Sequence, residues 1–308
     1  MLDRCLVVGH TDGHGAVATA ISIKNLKKEC RRVDHIARFP DTGVIPKFWK
    51  ETINKIKETA NKYDKIVFVD IPLDRFDYEG SAKALAEVCR TTDTHFIDHH
   101  ETPPEIVDFL RSAGCKVKIA DSAYDTVYGK PDEKWCVIGA ISDRDPTGIR
   151  DKINSRYMDL ADGLDVLVRS DLEKAIDSIL KDDESVFLEH AKKVPDPVDV
   201  EIQGDVVIVK DEVPEGWKFK VLDKACRKTG ASYGIYLSEN KPDRTTGEPR
   251  DFVTVIKYWL SKKPSVKSML PKDLAENAVG HPNAITISAE VGRGKTILER
   301  IKKILNIL

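Results

Sequence analysis

The chain has 308 residues, 41% apolar and 32% charged, with 49 Lys+Arg against 51 Asp+Glu. That length holds a substantial core and suggests two domains, and the apolar share excludes a disordered chain. The net charge of −2 excludes an overall electrostatic pull on nucleic acid, although residues 201–308 carry 19 Lys+Arg against 14 Asp+Glu, a mild surplus suited to a phosphorylated ligand.

Strands and helices alternate in the first part. Residues 5–9 form an apolar strand followed by a Gly-rich turn, and residues 16–28 carry apolar positions at Val17, Ile21 and Leu26 with a Lys-rich far side, which predicts a helix. Strands follow at 33–37, 66–69, 95–98 and 117–120, separated by helices at 46–62, 81–90 and 104–113, with an apolar helix at 135–141. Strands separated by helices imply parallel crossovers. Residues 164–194 read as helical until Val194-Pro195-Asp196-Pro197, where two prolines end the run. Beyond them, 198–203 and 206–210 form a hairpin across Gly204-Asp205, strands recur at 232–237, 252–258 and 284–288, and a helix closes the chain from 296.

The six cysteines include no CxxC pair, and Cys5 and Cys136 lie in apolar runs, so they read as small buried hydrophobes of a reducing cytosol. No stretch approaches ~18 apolar residues, and the short N-terminal apolar run passes at once into polar residues. The expectation is a cytoplasmic protein without a signal peptide or a membrane segment.

Five of the eight histidines fall in three short segments: His10 and His14, His99 and His100, and His281. In an open parallel sheet the carboxyl ends of strands border the crevice where ligands bind, and the candidates sit at such ends: His10, Asp12 and His14; Asp70; Asp98, His99 and His100; and Asp143 after residues 137–141. Oxygen and imidazole donors suit Mn²⁺, Mg²⁺, Co²⁺ or Zn²⁺, and the absence of thiolates argues against a structural zinc site. Asp145 offers a second carboxylate beside Asp143, and spacing does not choose between them.

In the second part, Gly280-His281-Pro282-Asn283 precedes a strand. It is either a plain turn or a loop in which glycine lets backbone donors and a His face an anion. Gly292-Arg293-Gly294-Lys295-Thr296 lacks the first glycine of a Walker loop, so it is either an ordinary helix start or a set of amides, Arg293 and Lys295 offered to a ligand. Arg244 and Arg250 are further phosphate candidates, and Tyr233, Tyr236, Tyr258 and Trp259 include at most one or two residues that stack on a base.

Taken in order, His10-Thr11-Asp12-Gly13-His14-Gly15, Asp70, Asp98-His99-His100 and Asp143 resemble the four motifs of the DHH phosphoesterase superfamily, which includes manganese-dependent pyrophosphatases, exonucleases, oligoribonucleases and cyclic-dinucleotide phosphodiesterases. The Gly280-His281-Pro282 loop resembles the Gly-Gly-His-Pro motif of the associated DHHA1-like substrate-binding domain, with Val279 in place of one glycine. The resemblance implies that His10, Asp12 and Asp70 hold one ion, and that Asp70, His99 and Asp143 hold another with help from His14. It also implies that His100 and Arg144 contact phosphate, that Asp98 orients a neighbouring His, and that Gly280, His281, Pro282, Asn283 and Arg293 bind substrate. The family has Asp where this chain has His14, which implies a softer metal, weaker binding, or a site that binds without turning over.

The combined expectation is an α/β chain, a Rossmann-like parallel sheet with helices on both faces plus a smaller mixed α/β domain. Its parts are a catalytic domain over 1–163, a helical connector over 164–197 and a substrate domain over 198–308. The expected activity is phosphoester hydrolysis on short oligonucleotides or small nucleotides, with one or two divalent ions, Mn²⁺ first, activating water, and with room for a homodimer. The alternatives are a pyrophosphatase and a catalytically weakened nucleotide- or metal-binding protein of a replication or repair assembly.

Overall fold

In the computed structural model, residues 1–36, 45–214, 217–243, 246–281 and 283–305 are described. Ala37, Arg244, Pro282 and the last three residues of the expected C-terminal helix lie outside them. The chain forms two units, Met1–Lys193 and Val194–Leu308.

In the first unit, β1 (Leu2–Gly9), β2 (Cys30–Ile36), β3 (Lys65–Val69), β4 (Asp93–Asp98) and β5 (Lys116–Ile119) form one parallel sheet in the order β2-β1-β3-β4-β5. Every residue of β3 is buried, as a strand covered on both faces requires. The order reverses beside β1 and β3, so the crevice beyond their carboxyl ends is the topological switch point.

Alternate residues point to opposite faces of a strand. Leu6, Val8, Ile66, Phe68 and Phe96 meet Phe48, Trp49, Ile53, Ile56, Leu85 and Leu110. The latter come from a π-helical turn over Phe48–Thr52, which follows α2 (Ile45–Lys47), and from α3 (Ile53–Thr59), α4 (Tyr78–Cys89) and α5 (Pro104–Ser112). On β1 and β3 lies α1 (Gly13–Leu26), which also packs against α6 (Glu133–Ser142), α7 (Ser155–Ser170) and α8 (Leu172–Leu180). Residues 13–23 of α1 are therefore all buried, and the expected Lys-rich solvent face is confined to the exposed Lys24, Lys27 and Lys28 at and beyond its end.

Residues 164–193, expected as part of a connector, belong to the first unit. Leu164, Leu167, Ile176, Ile179 and Phe187 are buried there, and α9 (Glu184–Ala191) packs on α7. Backbone contact is close, because a methyl at Gly163 would stand 1.8 Å from the carbonyl oxygen of Phe187.

Cys5 is joined to Cys30 and Cys89 to Cys115 by disulfides, while Cys136 and Cys226 are buried thiols. The partners are 25 and 26 residues apart in sequence. Cys5 and Cys30 are brought together by the pairing of β1 with β2, and Cys89, the last residue of α4, meets Cys115 just before β5, so neither bridge shows as a CxxC spacing.

The second unit is a six-stranded sheet in the order β10-β11-β9-β8-β7-β6. The hairpin of β6 (Val200–Gln203) and β7 (Val206–Val209) forms as expected, and α10 (Lys218–Thr229) carries the chain to β8 (Tyr233–Pro242), the one parallel neighbour of β7. The remaining strands, β9 (Pro249–Lys257), β10 (Ala278–His281) and β11 (Ala284–Ala289), pair antiparallel. Val207, Val209, Tyr236 and Ile256 face α10. Val206, Ile208, Tyr233, Ile235 and Val253 face α11 (Val266–Met269), α12 (Lys272–Ala275) and α13 (Gly294–Leu305). Tyr233, Tyr236 and Trp259 are thus core residues rather than base-stacking platforms. Among the described residues no helix is long and apolar enough to cross a membrane.

Candidate metal centre

The motif residues meet at the switch point of the first unit. His10 follows β1, and Asp12 caps α1 by accepting the Gly15 N–H on Oδ1 at 2.8 Å. Its Oδ2 takes the Nδ1–H of His10 at 2.7 Å, which puts the lone pair of the neutral ring on Nε2. Glycine is required at position 15 because a methyl there would lie 2.4 Å from the His10 carbonyl oxygen.

Asp70 follows β3 in the left-handed conformation, with φ +58°, a region that Asp tolerates better than most residues. Its N–H donates to Ile97 O at 3.0 Å, which ties the end of β3 to β4. The fully buried Asp98 accepts the Nδ1–H of His100 at 2.8 Å and so orients that ring.

Asp143 is the C-cap of α6, so it comes from the end of a helix and not of a strand, as its place among the strand-end candidates had implied. Asp145 turns elsewhere: Oδ2 accepts the Ala123 N–H and Oδ1 the Thr147 N–H, both at 2.9 Å. The structure thereby separates two carboxylates that spacing left equivalent.

Three sets of donor atoms lie close enough to hold an ion: His14, His99 and Asp143; Asp70, His99 and His100; and His10, Asp12 and Asp70. Asp70 Oδ1 is 3.0 Å from His14 Nδ1 and 3.4 Å from His99 Nε2, and His99 Nε2 is 3.5 Å from Asp143 Oδ2. Asp70 is 1% and His14 2% exposed. His14 Nδ1, His99 Nε2 and both carboxylate oxygens of Asp70 are buried without a hydrogen-bond partner. Converging buried carboxylate and imidazole groups are costly unless a positive charge joins them, a proton on His14 in the ion-free protein or a divalent ion, and a nitrogen and oxygen set without thiolate fits such an ion.

Electrostatics point the same way. Burial lowers the pKa of His14, but Asp70 outweighs it and raises the ring to about 10. Burial likewise opposes the rise of His10 to about 9, caused by Asp12, and of His100 to about 9, caused by Asp98. Asp70 is held well below the usual carboxylate range, since His14, His99 and His10 outweigh its burial. Burial, opposed by His14 and reinforced by Asp70, pushes Asp143 up to about 6.

Arg144 adjoins Asp143 with φ +60° and is half-buried. In the second unit, Gly280 and His281 close β10, paired with Ile285 and Ala284 of β11, and the Asn283 carbonyl accepts the Lys257 N–H at 2.7 Å. Arg293 is exposed, but the amides of Gly292 and Gly294 donate to Oδ2 of the buried Asp251 at 2.8 and 3.0 Å. An internal carboxylate fills the anion position at the start of α13, so of the two sequence readings these amides follow the ordinary helix start.

The sequence reading missed one contributor, the carbonyl of Ala123, which accepts the Nε2–H of His14 at 2.8 Å. A backbone oxygen 109 residues away in sequence leaves no signature in residue type.

No family model matches the sequence, and no curated protein matches it. Among solved structures the chain is similar to exonuclease RecJ bound to manganese, at 14% identity over 97% of this chain and 89% of that one, with a TM-score of 0.44. It is also similar to RecJ in complex with Mn²⁺ from Thermus thermophilus, at 14% identity over 97% and 51% of the two chains, TM-score 0.43. A third similar structure is the pGpG-specific phosphodiesterase PggH from Vibrio cholerae, at 11% identity over 98% of both chains, TM-score 0.49.

Proposed function

We propose that this chain is a divalent-metal-dependent phosphoesterase of the DHH type, acting on phosphodiester or phosphomonoester bonds of short oligonucleotides or small nucleotides. The observation that carries the reading is the overlap of three donor sets at one sheet end, with Asp70 common to two and His99 common to two. Shared ligands are what a pair of adjacent ions needs. His10, Asp12 and Asp70 would hold one ion, and His14, His99, Asp143 and Asp70 the other. Bound there, a divalent pair supplies a nucleophilic water near neutral pH and neutralises charge on the transferring phosphoryl group.

The chain's own groups do the rest. His100, whose Nδ1–H is held by Asp98, is raised to about 9 in the metal-free protein, and its ring lies beside the cluster where a phosphate oxygen would be bound. Arg144 offers a cation next to Asp143. Asp98, out of solvent, keeps the His100 ring from turning. On the resemblance, the segment from Gly280 to Asn283 in the second unit binds the substrate phosphate.

The orientation of His14 supports a working ligand over a degenerate one: Nε2 is spent on Ala123 O, and Nδ1 faces Asp70. The decisive experiment is hydrolysis by metal-stripped protein of RNA and DNA oligonucleotides, 3′-phosphoadenosine 5′-phosphate, cyclic dinucleotides and pyrophosphate, with Mn²⁺, Mg²⁺, Co²⁺ or Zn²⁺ restored. The expected result is metal-dependent turnover of a nucleotide substrate, abolished by Asp70→Ala and by His99→Ala. Turnover that survives both substitutions, or none on any substrate, overturns the proposal, and a preference for pyrophosphate replaces it with a phosphoanhydride hydrolase.

A further inference from the structure

An imidazole at position 14 poses a problem that a carboxylate would not. A carboxylate presents two equivalent oxygens in any rotamer, whereas a neutral imidazole has one lone pair, on a nitrogen selected by what the other nitrogen donates to. His14 Nε2 lies 2.8 Å from Ala123 O. A carbonyl only accepts, so Nε2 carries the hydrogen and Nδ1 is the nitrogen that faces Asp70, 3.0 Å away.

The carbonyl is itself held. Ala123 opens a 3₁₀ turn, Ala123–Asp125, and is 2% exposed. Its N–H donates to Asp145 Oδ2 at 2.9 Å, and Asp145 is fixed through Oδ1 by Thr147 N–H and through its own N–H by Ala140 O, each at 2.9 Å. Ala123 is thus held on both sides of its Cα: the peptide before it donates to the Asp145 carboxylate and the peptide after it accepts from His14, so fixing the first restrains the direction of the second.

Building on the metal-centre reading, we propose that Asp145 is a positioning residue. Its carboxylate holds the backbone of Ala123 through the N–H, and the carbonyl of the same residue fixes the His14 ring with Nδ1 toward Asp70, His99 and Asp143. The support is specific to histidine: with Asp at position 14 there is no N–H for Ala123 O to take, and Asp145 has nothing to position.

That dependence gives the test. Mn²⁺ affinity is measured by calorimetry for the full-length protein and for Asp145→Ala, His14→Asp and the double variant, alongside pulsed electron paramagnetic resonance of ¹⁴N couplings to bound Mn²⁺. Asp145→Ala is expected to weaken binding by about 10- to 100-fold where His14 is present, as loss of a group that orients a metal ligand does. In the His14→Asp background the same change is expected to stay within about twofold, the range for unlinked sites. The nitrogen couplings change on Asp145→Ala only with His14 in place. Asp145→Asn, whose single carboxamide oxygen cannot accept both the Ala123 and the Thr147 N–H, stands in if the alanine variant does not fold, and it is expected to weaken binding less than alanine does and only where His14 is present. Equal losses in both backgrounds overturn the proposal, because Asp145 is then only a brace of the fold. Absence of Mn²⁺ binding to the unaltered protein overturns the metal-centre reading itself.

Discussion

Asp70→Asn separates two effects of one carboxylate. In the metal-free protein Asp70 leads the charges that outweigh burial and raise His14 from 6.5 to about 10. A shift of that size is worth about 4 kcal/mol of stability at pH 7. The folded-state pKa is the higher one, so the contribution is complete below the unfolded value of about 6.5 and is lost as pH rises through about 10. Removing one member of a buried pair gives a similar figure, about 3–5 kcal/mol. For a unit of 193 residues, at about 2–4 °C per kcal/mol, the melting temperature should fall by about 8–16 °C. Differential scanning calorimetry of metal-stripped protein reads this at pH 7, and the gap between variant and wild type should narrow by about pH 10.5, where wild-type His14 has lost its proton. Added Mn²⁺ should raise the wild-type transition and leave that of Asp70→Asn unchanged. Equal melting temperatures at pH 7, or an undiminished Mn²⁺-dependent rise in the variant, would refute the assignment of Asp70 as the shared carboxylate.

Because His10 and His14 are raised to about 9 and about 10 and must be neutral to ligate, Mn²⁺ binding at neutral pH should release protons and tighten with pH across that range. Calorimetry in buffers of different ionisation heat counts those protons, and a count of zero contradicts the ligand assignment. Gly163→Ala places a methyl against the immobile Phe187 carbonyl and should cost about 1–3 kcal/mol in urea unfolding; an unchanged midpoint would mean that α7 and α9 are not so closely packed. Asp251→Ala strips an acceptor from the amides of Asn240, Gly292 and Gly294, of which only the last is buried, and should destabilise the second unit by about 1–3 kcal/mol. Those amides outweigh burial and lower the Asp251 pKa, so its contribution holds above the unfolded value of about 3.9 and is lost as pH falls through the folded one. Acid unfolding that is unaffected by the substitution would contradict that role.

The order of motifs and strands along the chain was enough to place His10, Asp12, Asp70 and His99 around one crevice, because a parallel sheet with helical crossovers collects its strand ends on one side; Asp143 reaches it from the end of α6 instead. The hairpin at Gly204-Asp205 was legible too, since two β-branched runs on either side of a turn pair leave few other arrangements. Sequence determined which donor atoms are available and roughly where they lie. It did not determine which carboxylate beside Arg144 faces the cluster, that Asp251 fills the anion position at α13, that Cys5 meets Cys30, or which nitrogen of His14 faces inward. Each of these depends on a contact between residues distant along the chain, and several run through backbone atoms that every residue carries alike. Residue type reports what a side chain can donate or accept, and only the folded packing decides with what.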